Sequence, residues 1–204
     1  MMAKRLIFEE LVGKEFRWPQ PGDDPFNIDD DGGNHATIAD NDFSRFVLMS
    51  EGYQHSANTL VETALENPAQ MDVLIYPILF LYRHALELNL KYIINIYGRH
   101  VGVDPIWNSH DFRVLWPRFL AVLDGFGTDD PDKADDIVGG VIAQFGNVDP
   151  NSFSNRYPLD TRGNPIPLVR DRMNLETLKD VMDGVFGYFS GTDGYLSDLV
   201  DAAG

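Results

Sequence analysis

Residues 73–97 read VLIYPILFLYRHALELNLKYIINIY, an apolar run broken by only a few polar side chains. At 100° per residue with Arg83 at 0°, Glu87 falls at about 40°, Lys91 at about 80°, His84 at about 100° and Asn95 at about 120°. These five share one strip, and the rest of the wheel is apolar apart from Asn89 near about 240°. Such a helix buries roughly two thirds of its circumference, far more than the ~100° stripe of a surface helix. The chain must therefore wrap further helices around it, and its one mixed-charge strip is where a site can sit.

The same run is too short to span a bilayer. Its continuous apolar part, Val73 to Tyr82, ends at Arg83 and His84, whereas a span needs about 20 such residues. At the N-terminus, Lys4 and Arg5 precede only Leu6, Ile7 and Phe8 before Glu9 and Glu10, too little for a secretory apolar core. There is no cysteine, which removes disulfides, thiol nucleophiles and thiolate metal sites. A soluble, cytoplasmic protein is expected.

The 204 residues carry a formal net charge of −16, which argues against coating duplex nucleic acid through a general basic field. Two segments stand apart. Arg83 to Arg118 holds five basic and three acidic residues, and Arg156 to Lys179 repeats that ratio. An acidic shell around two locally basic segments either admits one anion at a defined place or serves solubility, with each Arg paired to a nearby acid.

Residues 19–42 hold seven Asp and no Lys or Arg among Pro and Gly, so residues 1–42 are expected to be an N-terminal segment and acidic arm, with Lys14 to Trp18 alternating like a strand. Asn27, Asp29, Asp31 and Gly32 fit the opening of a calcium loop, but Ile38 stands where the bidentate Glu belongs. No metal site is expected there.

Residues 43–204 are expected to form a single helical domain. Helical periodicity runs from Phe43 to Glu66, and Asn67-Pro68 starts the central helix, with Pro77 as a kink and Gly98 and Gly102 at its exit. A third helix is expected from about His110 to Leu123, capped by Asn108 or Ser109. Asp130-Pro131 should start a fourth, running to about Phe145, and Asn174 should cap a last one from Leu175 to about Tyr188, with a weaker turn through Leu196 to Val200. Residues 151–168, rich in proline, are expected to form an ordered loop or short hairpin. The fold class is all-α, a bundle of about five main helices. Either the other four helices cover the central helix's apolar arc or a second subunit helps, as a homodimer.

In the strip, Arg83, Glu87 and Lys91 are successive i, i+4 neighbours, and His84 lies three residues before Glu87. A carboxylate beside an imidazole holds its tautomer and raises its basicity, the arrangement that poises a general base; the alternative is a surface ladder of weak ion pairs. Two other places are candidates to join it. Ser109-His110-Asp111 lies at a helix start, and Asn155-Arg156-Tyr157-Pro158 presents an Arg suited to phosphate and a Tyr able to stack on a base. The catalytic candidates are thus Arg83, His84, Glu87 and His110, and the ligand-binding candidates Lys91, Asp111, Arg156 and Tyr157. Nucleotide-binding glycine motifs, the hydrolase serine elbow and the H-E-x-x-H zinc motif are all absent from the sequence, and no cofactor is expected.

LYRHALELNLKYI, SHDFRVLW and NRYPLDTRG together resemble uncharacterised bacterial helical proteins of the broad HEPN-like class, over roughly residues 70–165. The resemblance implies an all-α, often dimeric module, many of whose relatives are RNA-cleaving toxins or defence factors with an Arg and a His four to six residues apart. Here Arg83 and His84 are adjacent, and no His has an Arg five to seven positions before it. The expected function is binding or metal-independent cleavage of RNA, or nucleotide binding. The competing expectation is a non-catalytic interaction protein whose Arg/His/Glu cluster is a structural network and whose acidic face meets a basic protein partner.

Overall fold

The computed structural model describes residues 17, 19–27, 34–149, 156–166 and 170–203. The backbone divides into two units, Met1–Ile38 and Ala39–Gly204. In the first, Arg17 pairs with Asp23, which also accepts from the Gln20 amide at 2.7 Å. Most of the expected strand, and Asp29, Asp31 and Gly32 of the calcium-like pattern, lie outside the described residues.

The second unit is an all-α bundle of five helices: α1 (Asp42–Glu66), α2 (Met71–Val101), α3 (Phe112–Phe126), α4 (Ala134–Val148) and α5 (Leu175–Ala203). Asn41 caps α1 by accepting from the Ser44 amide at 2.8 Å. Asn67 and Pro68 open a short 3-10 turn, Pro68–Gln70, which feeds straight into α2. Pro77 lies inside α2, which continues through it; the carbonyl it leaves without a helical donor belongs to Val73, 69% exposed, where water can serve.

Three boundaries differ from expectation, two of them because a side chain was assigned the wrong terminus. His110 lies before α3, and the cap is Asp111, whose carboxylate accepts from the Arg113 amide at 2.9 Å. Asp130-Pro131 forms a turn, and the Asp130 carboxylate reaches forward to the amides of Ala134 and Asp135, so α4 begins at Ala134. The expected break after Tyr188 is absent: Phe189 and Leu196 are buried on the same face as Val185 and Phe186, and α5 runs unbroken.

α2 is the axis of the bundle, packed against α1, α3 and α5, while α4 closes onto α3 and α5. Its apolar arc, including Ile78, Leu86, Leu90 and Ile94, is buried within one chain, so its breadth requires no second subunit. The stretch Pro68–Val101 passes a length-and-composition test for a membrane span, but half of its most apolar window is already buried by the rest of the protein. Between α4 and α5, residues 156–166 make a tight turn. Leu159 bridges to Pro165, and the Asp160 carboxylate accepts from the amides of Arg162 and Asn164. These residues match the expected loop or short hairpin; 151–155 and 167–168 of that expectation lie outside the described residues.

α2 ends at Gly102, in the left-handed conformation at φ 73°, and the Val103 amide turns back to the Gly98 carbonyl at 2.8 Å. A Cβ on Gly98 would lie 2.3 Å from the Val103 carbonyl oxygen, a backbone atom that cannot rotate away. Gly98→Ala is expected to cost about 1–3 kcal/mol as an overpacking change. At ~2–4 °C per kcal/mol for a chain of this size, calorimetry should record a clear fall in Tm.

Candidate functional site

The polar strip of α2 is not a surface ladder. Arg83 and Glu87 are 0% and 2% exposed and Lys91 is 8% exposed. Charges removed from water this far must be paired and hydrogen-bonded, and each one is. Glu87 Oε2 accepts from Arg83 at 3.2 Å, and its Oε1 accepts from Lys91 Nζ at 2.9 Å. Three further donors go to backbone carbonyls. Arg83 gives one N–H to the His110 carbonyl at 2.7 Å and its Nε–H to the Asp149 carbonyl at 3.1 Å, and Lys91 reaches the Trp107 carbonyl at 3.2 Å. The Arg83 guanidinium also lies over the Phe112 ring, 4.7 Å from its centroid. Two segments, the α2–α3 connection and the end of α4, are thereby fastened to one helix.

The second ring nitrogen system enters here. His110 Nδ1 lies 2.7 Å from Glu87 Oε1, and the His110 side chain is 60% exposed. Burial pushes the Glu87 carboxyl up, but the bonds and charges of Lys91 and His110 outweigh it and hold the group below its ordinary value of 4.5. Glu87 is therefore a carboxylate that orients an imidazole standing at the surface.

The imidazole it orients is not the one the helical spacing suggests. His84 instead packs edge-on to Tyr53 at 4.8 Å and stacks on Phe80 at 5.6 Å. Burial lowers its pKa against the opposing pull of the Glu87 carboxylate, and Arg83, Arg156 and His110 add to the fall. Neutral His84 is thus part of an aromatic stack. Arg156 lies over the other partner of that stack, 5.7 Å from the Phe80 centroid, with its own neighbour Tyr157 half exposed at 5.8 Å. Down the strip, the Arg156–Tyr157 loop stands beside Phe80 and His84, and His110 beside Glu87 one turn on. Both outer segments thus meet α2 along this strip, His110 at Glu87 and Arg156 at Phe80.

Some expected roles change. Arg83 and Lys91, expected as catalytic and ligand-binding, are buried and fully engaged, so they hold the site together without reaching its surface. Asp111, expected to bind a ligand, spends its carboxylate on the α3 cap and on the Arg113 side chain, which holds its pKa below the usual carboxylate range. Sequence reasoning missed Asp149, 1% exposed beside Arg83 at 3.8 Å, and the face of Phe112. The acceptors that matter most are backbone carbonyls, which leave no signature in residue type. Among the described residues no group of His, Asp and Glu is arranged to hold a metal ion.

Comparison with protein-family models, with curated proteins and with solved structures returned no match. Fold and cluster thus define the class: a five-helix bundle with a buried Arg–Glu–Lys centre and an exposed imidazole on its edge.

Removing the carboxylate of a buried cluster leaves Lys91 without its counter-charge, so Glu87→Gln is expected to cost about 3–5 kcal/mol in urea unfolding. Because the folded Glu87 carboxyl titrates below its ordinary value, its contribution is complete above pH 4.5 and is lost as pH falls through the lower, folded value. Acid unfolding followed by circular dichroism should show this loss in the wild type and a flatter profile in Glu87→Gln.

Proposed function

We propose that this chain is a HEPN-like module, working in the cytoplasm in a bacterial defence or toxin setting, that binds single-stranded RNA and cleaves it without metal. The observation that carries the reading is the Glu87–His110 contact: a buried, ionised carboxylate on Nδ1 of an imidazole that is itself exposed. With Nδ1 engaged, Nε2 is the nitrogen left for proton transfer. In this scheme His110 takes the proton of a ribose 2′-hydroxyl as its oxygen attacks phosphorus. The P–O5′ bond breaks, and the leaving oxygen takes a proton from solvent, giving a 2′,3′-cyclic phosphate. Arg156 offers charge to the non-bridging oxygens, and Tyr157 a face for a base. Arg83 and Lys91 act as positioning residues through Glu87.

A second reading, a non-catalytic interaction protein that meets a basic partner, is favoured by the mutual satisfaction of Arg83, Glu87 and Lys91. A network so complete serves to fix one packing arrangement, whether or not chemistry follows.

Purified protein incubated with a mixed RNA pool in the presence of a chelator separates them. Cleavage should fall about 10²–10⁴-fold in His110→Ala, the span of a lost general base, and about 10²-fold in Arg156→Ala, with helicity unchanged. Neither cleavage nor binding by the wild type would leave the second reading; equal cleavage by His110→Ala would refute the assignment of the base.

A further inference from the structure

Asn89 interrupts the apolar arc of α2 within residues 73–97, about 160° around the helix from Glu87. It lines an open pocket of about 170 Å³ between α1, α2 and α5. Phe186 and Phe189, both buried, come from α5, with Phe46 and Tyr92 across from them. Glu51 on α1 and Asp193 on α5 supply the charge, and no Lys or Arg lines the space.

The hydrogen-bond inventory gives the ligand's chemistry. Asn89 Nδ2 donates to Ser50 Oγ at 2.6 Å and to the Ala85 carbonyl at 2.9 Å. A carbonyl can only accept, which fixes the amide's orientation and leaves Oδ1 as the atom Asn89 still offers. Ser50 turns its own proton to the same carbonyl at 3.4 Å. The Tyr92 hydroxyl is bonded to Asp193, and with burial this pushes its pKa up to about 12. Tyr97 donates to the same carboxylate at 2.6 Å. Gln54 and Ser190 can act either way, but Asn89 Oδ1 and the Glu51 and Asp193 carboxylates are acceptors, two of them carrying negative charge, and Asp193 keeps lone pairs beyond those the two tyrosines take. Aromatic faces beside them also favour a cation. As for size, an apolar cavity of roughly 150 Å³ takes a benzene, so this space suits about six non-hydrogen atoms.

We infer that this pocket binds a short aliphatic diamine, its ammonium groups meeting Glu51, Asp193 and Asn89 Oδ1 and its methylenes lying over Phe186 and Phe189. The site is on the far side of α2 from His110 and does not depend on RNA chemistry.

The test is titration calorimetry of the full chain with 1,4-diaminobutane, beside 1,4-butanediol as the uncharged isostere. One saturable site is expected for the diamine and none for the diol. Glu51→Gln, an exposed position, should weaken binding at least about tenfold, the effect of one charge-assisted contact. Glu66→Gln removes an equally exposed charge elsewhere on α1 and should leave affinity unchanged, as should His110→Ala. No saturation at millimolar diamine, equal binding of the diol, or equal weakening by Glu51→Gln and Glu66→Gln would overturn the proposal, the last by showing only bulk attraction to an acidic protein.

Discussion

A single carboxylate, buried between two cations, is the constraint on which this bundle depends. Glu87 pairs with both Arg83 and Lys91 inside the protein, and the Asp149 carboxylate lies 3.8 Å from Arg83, but the two cations carry more donors than Glu87 can accept. The surplus is met by the carbonyls of Trp107, His110 and Asp149. The connection between α2 and α3 and the end of α4 are therefore held where α2 needs them. Replacing such a centre by apolar residues often costs little stability, so its effect lies more in selecting one arrangement of the chain than in strengthening it.

The selection has a chemical product. Because Arg83 grips the His110 carbonyl while Glu87 grips the His110 ring, that residue is fixed at both backbone and side chain. An imidazole on a connection would otherwise sample many rotamers; here its orientation is set by groups that cannot move without exposing a buried charge. α2 thus works on two faces. One presents the dyad, and the other, through Asn89, a pocket whose charged groups are acceptors.

Much of the bundle was legible in the sequence because helical period and caps are local. The breadth of α2's apolar arc identified the core helix, and Asn67-Pro68 and Gly102 marked its ends. The failures share one cause: competing local signals. His110 sits beside two better capping residues, Ser109 and Asp111, and only packing decides between them. Asp130-Pro131 has the form of a helix start, yet its carboxylate caps from four residues away. In the site, i, i+4 spacing correctly joined Arg83, Glu87 and Lys91. It could not say that the strip faces inward, because burial depends on what the other helices cover. His84 was paired with Glu87 by spacing alone, whereas Tyr53 and Phe80 offered its ring a better surface. Asp149 was invisible, since its decisive group is a carbonyl.

The orientation of His110 tests this most directly. In nitrogen-detected NMR of the imidazole at mildly alkaline pH, Glu87 should hold His110 in the Nδ1–H tautomer, with a proton shifted downfield by the short bond, and Glu87→Gln should release it. A wild-type His110 found in the Nε2–H form that free imidazoles prefer, unchanged in Glu87→Gln, would contradict the claim that the buried carboxylate sets the exposed imidazole.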